Sequence, residues 1–115
     1  MQCLNRIELV GFARSLSKEP FGELLAARFS VVTQRAYKDR LGEDIVEDTW
    51  IRCQALMKPD DASYGLQEGD AVRVVGRLRI VKTVDADGTV NTRPGVLVSE
   101  IGILEEAPEP ERIEA

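Results

Sequence analysis

The chain is organised by a two-residue alternation of apolar and polar positions. From Ala71 to Lys82, Val72, Val74, Gly76, Leu78 and Ile80 fall on one side of an extended segment, and Arg73, Arg77 and Arg79 on the other. This follows because side chains at i, i+2 and i+4 of a strand point the same way. Residues 48–57 repeat the pattern, with Ile51, Cys53, Ala55 and Met57 suited to a core and Trp50, Arg52, Gln54 and Leu56 facing outward. Near the start, Ile7 and Leu9 oppose Arg6, Glu8 and Val10, and Gly11 is predicted to allow a bend or bulge. Residues 25–35 are compatible with helix at their beginning. The β-branched run Val31-Val32-Thr33 and the alternation of Phe29, Val31 and Thr33 favour a strand. A last strand is expected over Val96–Leu104.

The segments between these strands are marked by turn chemistry. Lys18–Gly22 reads as a turn cluster, residues 37–46 as a polar hairpin loop around Gly42, and Asp85-Ala86-Asp87-Gly88 as an Asp-Gly hairpin. Pro59, followed by Asp60 and Asp61, suits the first turn of a helix, but Gly65 keeps any helix between 59 and 67 brief. Gln67–Asp70 turns the chain into the arginine strand. The expected fold is therefore all-β. It has five strands, a short helix between the third and fourth, and two long β-hairpins, which together describe a small Greek-key barrel of the OB type. A five-stranded sandwich fragment is the alternative.

Composition limits the possible chemistry. The 115 residues are enough for one core, and 43% hydrophobic content is ordinary for a folded protein. The net charge is −5, but residues 105–115 alone hold five glutamates and one arginine, so residues 1–104 are nearly neutral. Residues 1–104 are thus expected to be the domain and 105–115 an acidic tail without structure. A basic face can coexist with such a balance; a strongly basic groove is not indicated. No apolar run approaches the roughly 20 residues that cross a bilayer, and the first residues show no secretory pattern. The expectation is a cytoplasmic protein with no membrane partner.

Catalysis has little to rest on. There is no histidine, the two cysteines lack a CxxC spacing, and no paired carboxylates stand out. Cys3 and Cys53 are expected to be structural, no metal or cofactor is expected, and the protein is not expected to be an enzyme.

Several segments, in order, carry a family likeness: Leu-Asn-Arg-Ile-Glu-Leu-Val-Gly (4–11), Ala-Arg-Phe-Ser-Val-Val-Thr (27–33), Tyr-Lys-Asp (37–39), Thr-Trp-Ile-Arg-Cys (49–53), Glu-Gly-Asp (68–70), Val-Val-Gly-Arg-Leu-Arg (74–79) and the Asp-Ala-Asp-Gly turn. Over residues 4–104 the chain resembles the bacterial single-stranded DNA-binding proteins. The resemblance implies binding of single strands with little sequence preference, in replication, recombination or repair at the nucleoid, by a symmetric homo-oligomer, a tetramer more often than a dimer. It implies that Trp50 stacks bases, that Tyr37 is a second aromatic contact, and that Lys38, Arg52, Lys58, Arg79 and Lys82 meet the phosphate backbone. Arg73 and Arg77 join them through the alternation described above. RNA is admitted as well, since these contacts do not test the 2′-hydroxyl.

The departures from the family pattern matter. Leu56 and Thr83 stand where aromatics are usual, Ile51 replaces a histidine, and Glu68 occupies a position where lysine is frequent. Base–aromatic stacks contribute about 1–3 kcal/mol each, so fewer platforms imply weaker binding. The short tail puts recruitment of replication or repair proteins through a C-terminal tip in doubt. Alternatives stay open at this level. Trp50 could pack against a loop or subunit, Tyr37 could be a solvated loop residue, and the arginines could form a salt-bridge lattice with Glu47 or Glu100. The whole domain could also be a protein-interaction module of the primosome-assembly kind.

Overall fold

The alternating segments form strands longer than their hydrophobic pattern predicts. In a computed structural model, which describes residues 1–113, they are β1 (Ile7–Phe21), β2 (Leu24–Lys38), β3 (Asp44–Met57), β4 (Ala71–Val84) and β5 (Val90–Ile103). The strand order β1-β4-β5-β3-β2 is closed by pairing of β2 with β1, which makes the five-stranded barrel. All ladders within the barrel are antiparallel except the bridge from β3 to β5, where Cys53 faces Val96 and Gln54 faces Leu97. Full closure removes the exposed edges of an open sheet. Inward positions supply the core: Phe29, Val31, Met57, Leu66, Val72 and Val74 are fully buried.

Closure depends on β1 changing partners. Ile7–Phe12 pair with β4, and Phe12–Phe21 pair with β2. At the crossing β2 comes so close that a Cβ on Gly11 would lie 2.1 Å from the Val32 carbonyl oxygen. Gly11 is thus required for close approach. The expected bulge lies further along, between Arg14 and Ser17, where Ser15 takes φ +53°. The Glu68 carboxylate holds this bulge, accepting the Ser15 N–H at 3.0 Å and the Leu16 N–H at 2.9 Å.

The expected turn at 18–22 is mostly strand. Lys18–Phe21 pair with Ala27–Leu24, and the chain reverses at Gly22, which has φ +62°. Pro20 is tolerated because β1 has given up its β4 neighbour there and runs as an edge. The loop expected at 37–46 is likewise largely paired, through Lys38 opposite Asp44, and only the turn around Gly42 remains. The Asp-Gly hairpin forms with Gly88 at φ +87°, and its arms extend β4 and β5 well beyond the barrel. The brief helix is a single 3-10 turn, Ala62–Gly65, after which Leu66 enters the core.

The tail departs from the structureless segment expected of it. Glu111–Arg112 form a two-residue strand, β6, parallel to β2 at Arg35 and Ala36, and the Ile113 N–H bonds the Ala36 carbonyl. Beyond Val32 β2 has lost β1 as a neighbour, and β6 fills that open side. Ala115 and Glu114 lie outside the described residues.

Replacing Gly11 with alanine forces its methyl group into the β2 backbone. Overpacking of this kind destabilises by about 1–3 kcal/mol or more. Urea unfolding of Gly11→Ala is expected to show a lowered midpoint, whereas Gly65→Ala, which has open space around the added atom, is expected to stay close to wild type.

Candidate nucleic-acid interface

Residues directly opposite in a ladder share a face, so register shows what the outer surface presents. Trp50 lies beside Val32 on β2, which lies beside Phe12 on β1. One step along, Arg52 lies beside Ser30, which lies beside Arg14. The next row runs Arg77, Leu97, Gln54, Arg28 and Ser17 across the five strands. Arg79 sits opposite Gly95 and donates to the Gln54 Oε1 at 2.9 Å, tying the β4–β5 arm to β3. Extending the β3–β5 register places Arg93 and its partner Val81 level with Trp50, beyond the last paired residues.

These rows carry no carboxylate. The flanking rows carry acidic side chains, Glu19 beside Ala26 and Asp48 beside Gln34, and tail glutamates line a groove beside Phe12 and Val32. Among the described residues Arg14, Arg28, Arg52, Arg77, Arg79 and Arg93 take part in no ion pair, and all are exposed. Trp50 is 56% exposed in their midst. An unpaired cationic surface around an open indole can attract phosphates and offer a π-face to a base.

The expected site residues do not all meet here. Trp50, Arg52, Arg77 and Arg79 share this face, and Lys38 continues it toward the hairpin tip opposite Asp44. Arg73 is drawn aside into a lattice, 3.2 Å from Glu8 and 4.0 Å from Glu100. Its alternation with Arg77 and Arg79 is preserved, but Glu100 belongs to the weighed alternative and Glu8 takes the place of Glu47. Lys82 lies on the opposite face of the β4–β5 arm, in line with Leu78 and Ile80. Lys58 follows β3, is exposed, and has its backbone N–H on the Asp61 carboxylate.

Tyr37 is part of β2 and lies on the reverse of the β2–β3 ribbon from Trp50, opposite Ile45. Its hydroxyl donates to Glu47 Oε1 at 2.6 Å, and the Arg35 guanidinium lies 5.8 Å from the ring centre. The Glu47 hydrogen bond raises the phenol above its ordinary pKa. Cys53 is buried in the core, and burial pushes its thiol up to about 11, which leaves it unreactive.

Phe12, Arg14, Arg28 and Arg93 were not singled out by sequence reasoning. Alternation within a strand gives no sign of its neighbours, and only cross-strand register brings these residues onto the Trp50 face. The acidic tail bounds the face: Pro108, Glu109 and Glu111 line a groove with Val10, Phe12 and Gln34.

Residues 4–104 match the single-strand binding protein family, and the chain belongs to that family. No curated protein matches it in sequence. Among solved structures it is similar to a Plasmodium falciparum SSB in complex with ssDNA, at 22% identity and TM-score 0.76, over 91% of this chain and 98% of that one. It is also similar to a small single-stranded DNA-binding protein from Streptomyces coelicolor, at 22% identity and TM-score 0.64, over 87% and 94% of the two chains. The fold is thus the OB barrel expected from the strand pattern.

Glu68 yields a pH dependence. The N–H groups of Leu16 and Ser15 favour its ionised form and hold its carboxyl below the ordinary value. Its contribution to stability is complete above that ordinary value and is lost as pH falls through the lowered folded one. In acid-unfolding titrations Glu68→Gln is expected to lose less stability than wild type over that interval.

Proposed function

We propose that this protein binds single-stranded DNA, stacking a base on Trp50 and holding phosphates with Arg52, Arg77, Arg79 and the neighbouring Arg28 and Arg93. The observation that carries the reading is the position of Trp50, exposed within rows free of carboxylates, in a chain of this family. The mechanism needs no bond chemistry. A flexible strand exchanges solvent-stacked bases for an indole face and exchanges condensed counterions for guanidinium groups. Because backbone and π-face contacts ignore base identity, sequence preference is expected to be slight.

Tyr37 adds to the contact where a strand rounds the β2–β3 ribbon, since its ring lies on the reverse face. Lys38, on the Trp50 face near the hairpin tip, suits a phosphate at that crossing. Lys58 and Lys82 have exposed ammonium groups at the margins and add general attraction. Arg73 is assigned to the Glu8–Glu100 lattice. RNA is accepted on the same terms, because none of these groups probes the sugar.

We also place the protein in the cytoplasm at the nucleoid, acting in replication, recombination or repair as a non-enzymatic homo-oligomer, a tetramer in the leading arrangement. In support, no helix among the described residues is long and apolar enough to cross a membrane. The outer side of β1, β4 and β5 also leaves Val10 and Ile103 substantially exposed. Linking several such sites raises avidity without new contacts. Light scattering on the purified chain is expected to return a multiple of the 12.8 kDa protomer; a monomeric mass overturns the oligomer.

Trp50 is the sole tryptophan, so its fluorescence reports binding directly. Oligo-dT is expected to quench it saturably, less strongly as salt rises. An absence of quenching at low salt and micromolar protein overturns the proposal and leaves the protein-interaction module standing. Followed by anisotropy of a labelled oligonucleotide, Trp50→Ala is expected to weaken binding by about 1–3 kcal/mol, the range for one lost stack. Arg79→Ala is expected to make the log–log salt slope shallower by about 0.7, the single-strand value for one phosphate.

A further inference from the structure

The geometry points to Arg14 as a phosphate-binding residue that carries the strand interface onto β1, with Glu68 as the residue that positions it. This rests on the single-strand-binding reading above and adds to it a specific end of the path. Four observations converge. Arg14 shares a cross-strand row with Ser30 and Arg52, so it continues the Arg52 surface around the barrel. It is exposed and, among the described residues, makes no ion pair. Its guanidinium carbon lies 5.9 Å from the centre of the Phe12 ring, close enough for a cation–π contact that narrows its motion. On its other side is the Glu68-Gly69 loop, where a Cβ added to Gly69 would come 2.8 Å from Arg14 Nη1.

That loop is locked to β1. The Gly69 N–H bonds the Ala13 carbonyl at 2.7 Å, and the Asp70 carbonyl takes the Ala13 N–H at 2.8 Å. The Glu68 carboxylate takes the next two free N–H groups, those of Ser15 and Leu16. Its oxygens are therefore committed to the backbone of the bulge immediately after Arg14, where Ser15 holds its unusual φ. A carboxylate satisfied by backbone N–H groups fixes the direction in which Arg14 leaves the strand; the guanidinium is near enough to favour the ionised carboxylate, but the two form no ion pair, so it stays available to a phosphate. Pre-orienting a charged side chain reduces the entropy lost when it meets a phosphate.

The surroundings also define which way the strand runs. Glu109 and Glu111 line the groove on the Val10 and Gln34 side of the Phe12–Val32 row, where they repel phosphates. The other side of that row carries the exposed Arg52 and Arg14. A strand leaving Trp50 is steered over Arg52, whose guanidinium donates to the buried Ser30 hydroxyl, to Arg14, away from the tail.

The test compares wild type, Arg14→Gln, Glu68→Ala and Glu68→Gln by anisotropy with labelled oligo-dT across a salt series, with circular dichroism melting to establish that each is folded. Arg14→Gln is expected to bind more weakly at low salt, with a log–log slope shallower by about 0.7 and Trp50 quenching at saturation unchanged. Glu68 provides a change of sign. Removing a bystander carboxylate from a phosphate-binding face tightens binding, whereas removing a positioning residue loosens it. Glu68→Ala is expected to lose affinity although it raises the net charge, with Glu68→Gln intermediate because one amide oxygen still accepts. Should Glu68→Ala melt before measurement, Glu68→Gln decides alone. An unchanged slope in Arg14→Gln, or tighter binding in the folded Glu68 variants, overturns the assignment while leaving Trp50-mediated binding intact. Wild type that fails to bind oligo-dT at all overturns the parent reading, and this one with it.

Discussion

The architecture depends on one close approach: the β2 backbone passing over Gly11. There β1 leaves β4 and takes β2 as its partner, and a sheet that would otherwise stay open becomes a barrel. Any side chain at that position would hold the two strands apart. Every row of the outer surface inherits its composition from this closure, because the β1–β2 register decides that Phe12 lies level with Trp50, and Arg14 with Arg52. The bulge that follows absorbs one residue and lets the far end of β1 continue along β2. Glu68 satisfies the two N–H groups that the bulge leaves unpaired.

Charge is segregated more sharply than the net value conveys. An acidic protein still presents a cationic face, because its carboxylates are used elsewhere. Glu8 and Glu100 gather Arg73, Glu47 takes the Tyr37 hydroxyl, Glu68 caps backbone, and Asp39, Asp61 and Asp87 close turns. Several remaining acids lie in the tail, which packs along β2. Leu56 and Thr83 stand where the family resemblance leads one to expect aromatics, so the proposed site leans on guanidinium groups more than on stacking.

The strand pattern, the two hairpins, the barrel and the outward position of Trp50, Arg52 and Leu56 were all legible from alternation and turn chemistry. These are local properties, since the two-residue period assigns faces within a strand and Gly or Asp-Gly marks reversals. Strand ends were less legible. Residues such as Lys18, Lys38 and Val90 lie in arms where side chains meet solvent, so burial leaves no periodic trace in the chain. Gly11 reads in sequence as a bend or bulge, because a glycine needed for close approach looks there like one needed for flexibility. The tail looked structureless because its composition is that of a solvated segment; its pairing depends on an open stretch of β2 that exists only after β1 has turned away.

Alternation within β4 grouped Arg73, Arg77 and Arg79 correctly as one side of one strand. It carried no information on which carboxylates stand across the ladder, and so could not separate Arg73, held by Glu8 and Glu100, from Arg79, free to reach Gln54. Lys82 and Tyr37 show the converse: likeness to a family marked them, and parity in the folded ribbons places them on the reverse faces from Arg79 and Trp50. Each strand's two sides are therefore written in its own residues, because the period of a strand is a property of the backbone. Which sides lie next to one another is written nowhere along the chain, because register and closure arise from contacts between segments far apart in it.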